Sequence, residues 1–170
     1  MKNLVLFGFM GTGKTLISKK LSKLLPLSAV DMDALIEDKE KTSISSIFAD
    51  KGEPYFRELE RVMAQELSKK SGLLISTGGG VVLNPENIQN LSKTGVCVCL
   101  TASPETIYER VRRHSHRPLL NTEDPLATIK TMLSARQSRY DAVPYHVATD
   151  AKSPELICEE IIALYNKHAG

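Results

Sequence analysis

The chain has 170 residues with 42% hydrophobic content, enough to bury one sizeable core but not two, so a single domain over residues 1–170 is expected. A formal net charge of +2 excludes the strongly basic balance of a nucleic-acid or membrane-surface protein. No apolar stretch is long enough to span a bilayer, and the opening "MKNLVLFGFMG" runs into a glycine loop rather than a signal-peptide cleavage site. The cysteines, Cys97, Cys99 and Cys158, form neither an even set nor a zinc spacing, which points to reduced core thiols in a cytoplasmic protein.

The first element is a buried strand, "NLVLFG". It leads into "GFMGTGKT" at residues 8 to 15, the pattern GxxxxGKT, whose glycines let backbone amides converge on phosphate oxygens that a Cβ would push away. An amphipathic helix follows from Lys14 to Leu25, with Ile17, Leu21, Leu24 and Leu25 on its inner face. The free N–H groups and positive dipole end of that helix would face the phosphates. Lys14 would reach the β and γ phosphates, and the Thr15 hydroxyl is placed to coordinate an accompanying Mg²⁺.

A second strand, Ser28 to Val30, ends in "AVDMDALIED". In extended backbone Asp31 and Asp33 would point to one side, into the crevice above the carboxyl ends of the strands, where one carboxylate can serve Mg²⁺ and the other a substrate hydroxyl. The same residues also fit a helix start, with Asp as the cap before "ALIED". In the helical stretch "GEPYFRELERVMAQEL", Phe56, Leu59, Met63 and Leu67 make an apolar stripe beside Arg57 and Glu60. That pair is either a routine surface ion pair or a carboxylate holding an arginine ready for a ligand.

The third strand, "LLIST" (73 to 77), runs into Gly78, Gly79 and Gly80, where a mere turn needs one glycine. Either the bare backbone approaches a ligand closely, or another segment packs against it. Strands at 96–101 ("VCVCLT") and 146–149 ("HVAT") complete a set in which short apolar strands alternate with helices, implying a parallel sheet covered on both faces. Between them lies the irregular piece "HSHRPLLNTED" (114 to 124), which reads as a lid. The basic cluster "ERVRRHSHR" lacks the aromatic interleaving of a nucleic-acid surface, and His114 and His116 have no third metal ligand in view.

Taken in order, "GFMGTGKT", "DMD", "ISSIFADKGEPYFRELE", "STGGGVVL", "RPLL" and "ARQSRY" resemble shikimate kinase over nearly the whole chain. The resemblance implies a three-layer αβα fold of the P-loop kinase type, with a central, mainly parallel five-stranded sheet and a mobile lid at about residues 112–124. It implies ATP-dependent phosphorylation of shikimate to 3-phosphoshikimate by a cytoplasmic monomer, with Mg²⁺ and without a nucleic-acid or membrane partner. Gly11, Thr12, Gly13, Lys14 and Thr15 match the phosphate-binding positions, and Thr15 and Asp31 the metal positions. Asp33 matches the residue on the shikimate hydroxyls and is the candidate general base. Arg57 and Arg136 match the substrate-carboxylate clamp, Glu60 the residue orienting Arg57, and Gly78, Gly79 and Gly80 the backbone against substrate and γ-phosphate. Arg117 matches the lid arginine on the transferring phosphate, and Arg110 and Pro154 the adenine side. The sequence departs from the family's "RxPLY", with Ser138 in the proline position and a second arginine, Arg139, before Tyr140, so either Arg136 or Arg139 could meet the carboxylate.

Overall fold

The computed structural model describes residues 1–113 and 121–170. Its sheet contains β1 (Asn3–Phe7), β2 (Ser28–Asp31), β3 (Leu73–Ser76), β4 (Gly95–Thr101) and β5 (Tyr145–Ala148), all in parallel in the order β2-β3-β1-β4-β5. The helices are α1 (Lys14–Leu24), α2 (Met32–Glu40), α3 (Ile44–Lys51), α4 (Glu53–Leu67), α5 (Pro85–Thr94), α6 (Pro104–Val111), α7 (Pro125–Asp141) and α8 (Pro154–His168). Among the described residues no helix is long and apolar enough to cross a membrane.

The strands are apolar on both sides because both sides are covered. Leu4 and Leu6 of β1 face a core shared with Ile17 and Leu21 of α1 and with Ile157 and Ile161 of α8. Val5 and Phe7 face the opposite core, with Met32, Phe56, Ile88, Ile107 and Ile129 from α2, α4, α5, α6 and α7. Cys97 and Cys99 lie in the second core and Cys158 in the first, all buried as free thiols. Burial pushes the Cys97 and Cys99 thiols up to about 11 and about 12, which keeps them protonated and unreactive.

Four helices start at a polar cap followed by proline: Asn84-Pro85, Ser103-Pro104, Asp124-Pro125 and Ser153-Pro154. Each cap side chain accepts a backbone N–H that the helix itself cannot satisfy, worth about 1 kcal/mol, and proline sits where no N–H is needed. The inner face of α1 differs from the expected one. Leu24 is 60% exposed, because the helix ends there and Leu27, in the extended stretch that follows, enters the core instead.

At the amino end of β1 the buried Asn3 joins three segments. Its amide donates to the Lys70 carbonyl at 2.9 Å and to the Thr94 hydroxyl at 3.4 Å, and its carbonyl oxygen accepts from the Leu73 N–H at 2.9 Å. At the other end, β1 runs between neighbours that the chain reaches in opposite directions, β3 on one side and β4 on the other. A parallel sheet opens a crevice at such a reversal, above the carboxyl ends of its strands.

Candidate active site

A cleft of about 720 Å³ occupies that crevice. Gly11 to Thr15 line it on the phosphate-loop side, and Asp31, Asp33, Arg57, Glu60, Gly78 to Gly80 and Arg136 on the other, with Arg110 and Pro154 at its rim. Fifteen residues of the sequence reading are thus gathered in one place, Lys14 and Asp33 among them, and Arg117, with the middle of the expected lid, lies outside the described residues.

The loop is bent by glycines in left-handed backbone, Gly11 at φ 78° and Gly13 at φ 99°. A Cβ on Gly11 would come within 2.9 Å of the Val111 side chain, so α6 also requires glycine there. The Thr12 hydroxyl donates to the Phe9 carbonyl at 2.7 Å and braces the turn. Helix α1 begins without a side-chain cap, which leaves its first amides for a ligand. The Lys14 ammonium donates to the carbonyls of Gly8 and Phe9 at 2.6 and 3.1 Å, so it is held over the loop.

Asp31 and Asp33 reach the cleft by a different route from strand alternation. Asp31 ends β2 and caps α2, accepting from the Ala34 N–H at 3.1 Å, while Asp33 is in the first turn of α2. Asp31 therefore both caps α2 and lines the cleft. The Asp33 Oδ1 is buried and has no hydrogen-bond partner among the described residues. Burial pushes the Asp33 carboxyl up, and Asp31 adds to the shift, against the pull of Lys14.

Arg57 and Glu60 are one turn apart on α4, and their contact is far from a surface pair. The Arg57 Nη1 donates to Glu60 Oε1 at 2.5 Å, with the Glu60 side chain only 2% exposed, and Glu53 holds the outer edge of the guanidinium at 3.2 Å. Leu59 packs partly buried against the core, and Glu60 beside it is buried as well. Burial pushes its carboxyl up to about 7, against Arg57. The triple glycine explains how the arginine fits: a Cβ on Gly80 would lie 2.6 Å from the Arg57 Nη2, and one on Gly78 would lie 2.8 Å from Asp33 Oδ1. The bare backbone makes room for the charged side chains of α4 and α2.

Arg136, on α7, lines the cleft with its guanidinium 5.9 Å from the Phe9 ring, whereas Arg139 is exposed and outside it. Arg110 donates to the Gly11 carbonyl at 3.2 Å and to the Thr149 hydroxyl and carbonyl at 3.0 and 3.2 Å, tying α6 to the phosphate loop and to the end of β5. Sequence reasoning missed Lys152, which lines the rim beside Pro154 and is held by Glu160 at 2.8 Å. Its only local signal is the left-handed Ala151 before it, at φ 53°, which no sequence motif announces.

The arrangement places a phosphate cradle, a buried carboxylate and two forked cations around one cavity. The family model for shikimate kinase matches residues 10–166. A shikimate kinase of Thermodesulfovibrio yellowstonii is 42% identical over 98% of this chain and 96% of its own length, and one of Caldanaerobacter subterraneus subsp. tengcongensis is 42% identical over 100% and 99%. Among solved structures, shikimate kinase from Acinetobacter baumannii in complex with shikimate superposes with a TM-score of 0.89 at 32% identity, covering 98% of this chain and 94% of that one. A gluconokinase from Sinorhizobium meliloti 1021, 14% identical with a TM-score of 0.59, shares the fold.

Proposed function

The chain belongs to the shikimate kinase family, and we propose that the cleft residues described above carry that family's reaction between ATP and shikimate. The enzyme transfers the terminal phosphoryl group of ATP to shikimate, giving 3-phosphoshikimate and ADP. The phosphates of ATP lie on Gly11 to Thr15, its base between Arg110 and Pro154, and shikimate lies against Asp33, Arg57, Arg136 and the backbone of Gly78 to Gly80. The observation that carries this reading is the Asp33 Oδ1, a buried acceptor with no partner among the described residues, opening onto the same cleft as Lys14.

Each residue's task follows from its chemistry. The 3-hydroxyl oxygen of shikimate attacks the γ-phosphorus while its proton passes to Asp33; the bond from phosphorus to the β–γ bridging oxygen breaks, and ADP leaves. A carboxyl whose pKa is raised toward working pH is the stronger base, and the environment of Asp33 acts in that direction. Lys14 offsets the charge that builds on the phosphate oxygens, and the resemblance to the family gives Arg117 the same task. Arg57 and Arg136 each present a planar fork to the substrate carboxylate, and Glu60 fixes the first of them before substrate arrives.

Thr15 and Asp31 both line the cleft and offer hard oxygen donors, and the Asp31 cap uses its Oδ1, so the donor set fits Mg²⁺. Bound there with ATP, Mg²⁺ would supply positive charge to the phosphates. We read the enzyme as a cytoplasmic monomer acting on small molecules, and its net charge of +2 speaks against a nucleic-acid partner. The test is coupled ADP release against shikimate, gluconate and AMP: shikimate alone should give rapid turnover, and faster turnover with gluconate or AMP would overturn the assignment.

A further inference from the structure

Tyr140, one turn after Arg136 on α7, is 3% exposed, and its hydroxyl donates to the Gly79 carbonyl at 2.7 Å. Gly79 in turn lies against the phosphate loop, since a Cβ there would come within 3.4 Å of the Met10 nitrogen. One hydroxyl therefore ties the helix carrying Arg136 to a turn that touches the phosphate loop. The ring is itself part of the buried core, so removing the hydroxyl alone leaves its packing intact. A second cavity of about 380 Å³ is lined in part by Phe9, Thr12, Cys99, Leu133, Gln137 and Tyr140 itself. Burial pushes the phenol up to about 12, which keeps it a hydrogen-bond donor at any working pH.

We propose that Tyr140 is a positioning residue: its hydrogen bond to Gly79 sets the placement of Arg136 against the Gly78–Gly80 turn, and so the affinity for shikimate. This rests on the reading of Arg136 as a substrate-carboxylate donor. Tyr140 touches neither substrate in this scheme and acts through Arg136, as a hinge pin acts through the door. Deleting the hydroxyl leaves the ring in place and the Gly79 carbonyl without its donor, a loss that corresponds to about a 5- to 20-fold change in an equilibrium constant.

The experiment compares Tyr140→Phe, Arg136→Lys and the double variant by steady-state kinetics, with thermal unfolding alongside. Tyr140→Phe should raise the KM for shikimate about 5- to 20-fold, leave the KM for ATP within about twofold, and barely shift Tm. The double variant should lose no more than Arg136→Lys alone, because the tyrosine works through the arginine. An unchanged shikimate KM in Tyr140→Phe, with Arg136→Lys impaired, would overturn the proposal and leave the Arg136 reading standing. Losses that multiply in the double variant, or that fall equally on ATP and track a drop in Tm, would also overturn it. If Arg136→Lys itself binds shikimate normally, the Arg136 reading fails and takes the proposal with it.

Discussion

At the phosphate end of the cleft the contact groups come from consecutive residues, Gly11 to Thr15, on one loop and the start of one helix. At the acid end they come from α2, α4, the turn after β3, and α7, spread from Asp33 to Arg136. The loop takes its shape from its own glycines and needs the sheet mainly as a base. The acid end exists only when four elements are packed, and there the glycines serve side chains that arrive from elsewhere in the sequence. Substitutions in the loop should therefore act on one function at a time, and substitutions at the acid end should couple to one another.

The largest expected effect falls where the two ends meet. Asp33→Asn keeps the shape of the side chain but removes the base, and turnover should fall about 10²- to 10⁴-fold with ATP binding intact. Wild-type turnover should fall as pH drops through the raised pKa of Asp33, above its ordinary 3.8, and the residual rate of the variant should lack that acid limb. A pH profile of kcat checks both; normal turnover in Asp33→Asn would remove it from catalysis. Lys14→Met comes next, with a loss on the order of 10² in kcat and an unchanged fold by circular dichroism. A collapse of shikimate affinity in that variant would blur the division between the ends.

Glu60→Gln probes how tightly the acid end is packed. Because the folded pKa of Glu60, about 7, lies above its ordinary 4.5, its protonation stabilises the native state fully below about pH 4.5, and that contribution is lost as pH rises through about 7. The stability advantage of wild type over Glu60→Gln should thus shrink by up to about 3 kcal/mol between about pH 4.5 and 8. Urea unfolding of both proteins at the two pH values measures it, and a flat difference would mean that Glu60 titrates as in the unfolded chain. Arg57→Lys and Arg136→Lys should each weaken shikimate binding by about 1 to 3 kcal/mol, non-additively, because they share one carboxylate. The smallest effect is expected for Arg139→Lys, exposed and outside the cleft, which should change little by calorimetry.

The division between the ends also explains what could be read in advance. The loop, the five strands and the alternation with helices are local patterns, and they stand in the structure within a residue or two of where the sequence put them. The acid-end residues were reached through their resemblance to a family, because nothing local says that Arg57 will lie on Gly80 rather than in solvent. Where local rules were used there, they gave an incomplete answer. Strand alternation brought Asp33 to the cleft for the wrong reason, since the chain has already turned into α2, and hydrophobic periodicity finds Leu59, which packs partly buried against the core, but not the buried Glu60 paired with Arg57. Leu24 failed at the same kind of boundary, where a helical period was carried past the point at which the helix stops meeting the sheet.

The position of Asn3 gives the molecule a polarity of another kind. Its three hydrogen bonds fasten β1 to the entry of β3 and to the end of α5, at the edge of the sheet farthest from the cleft. The strands are thus sewn together at their roots, while their tips end in turns and loops. A fluctuation that separates neighbouring strands meets the most resistance at the root and the least at the tip, so opening and closing at the cleft can proceed without the sheet beginning to unravel. A buried amide that no substrate ever touches lets the catalytic edge breathe.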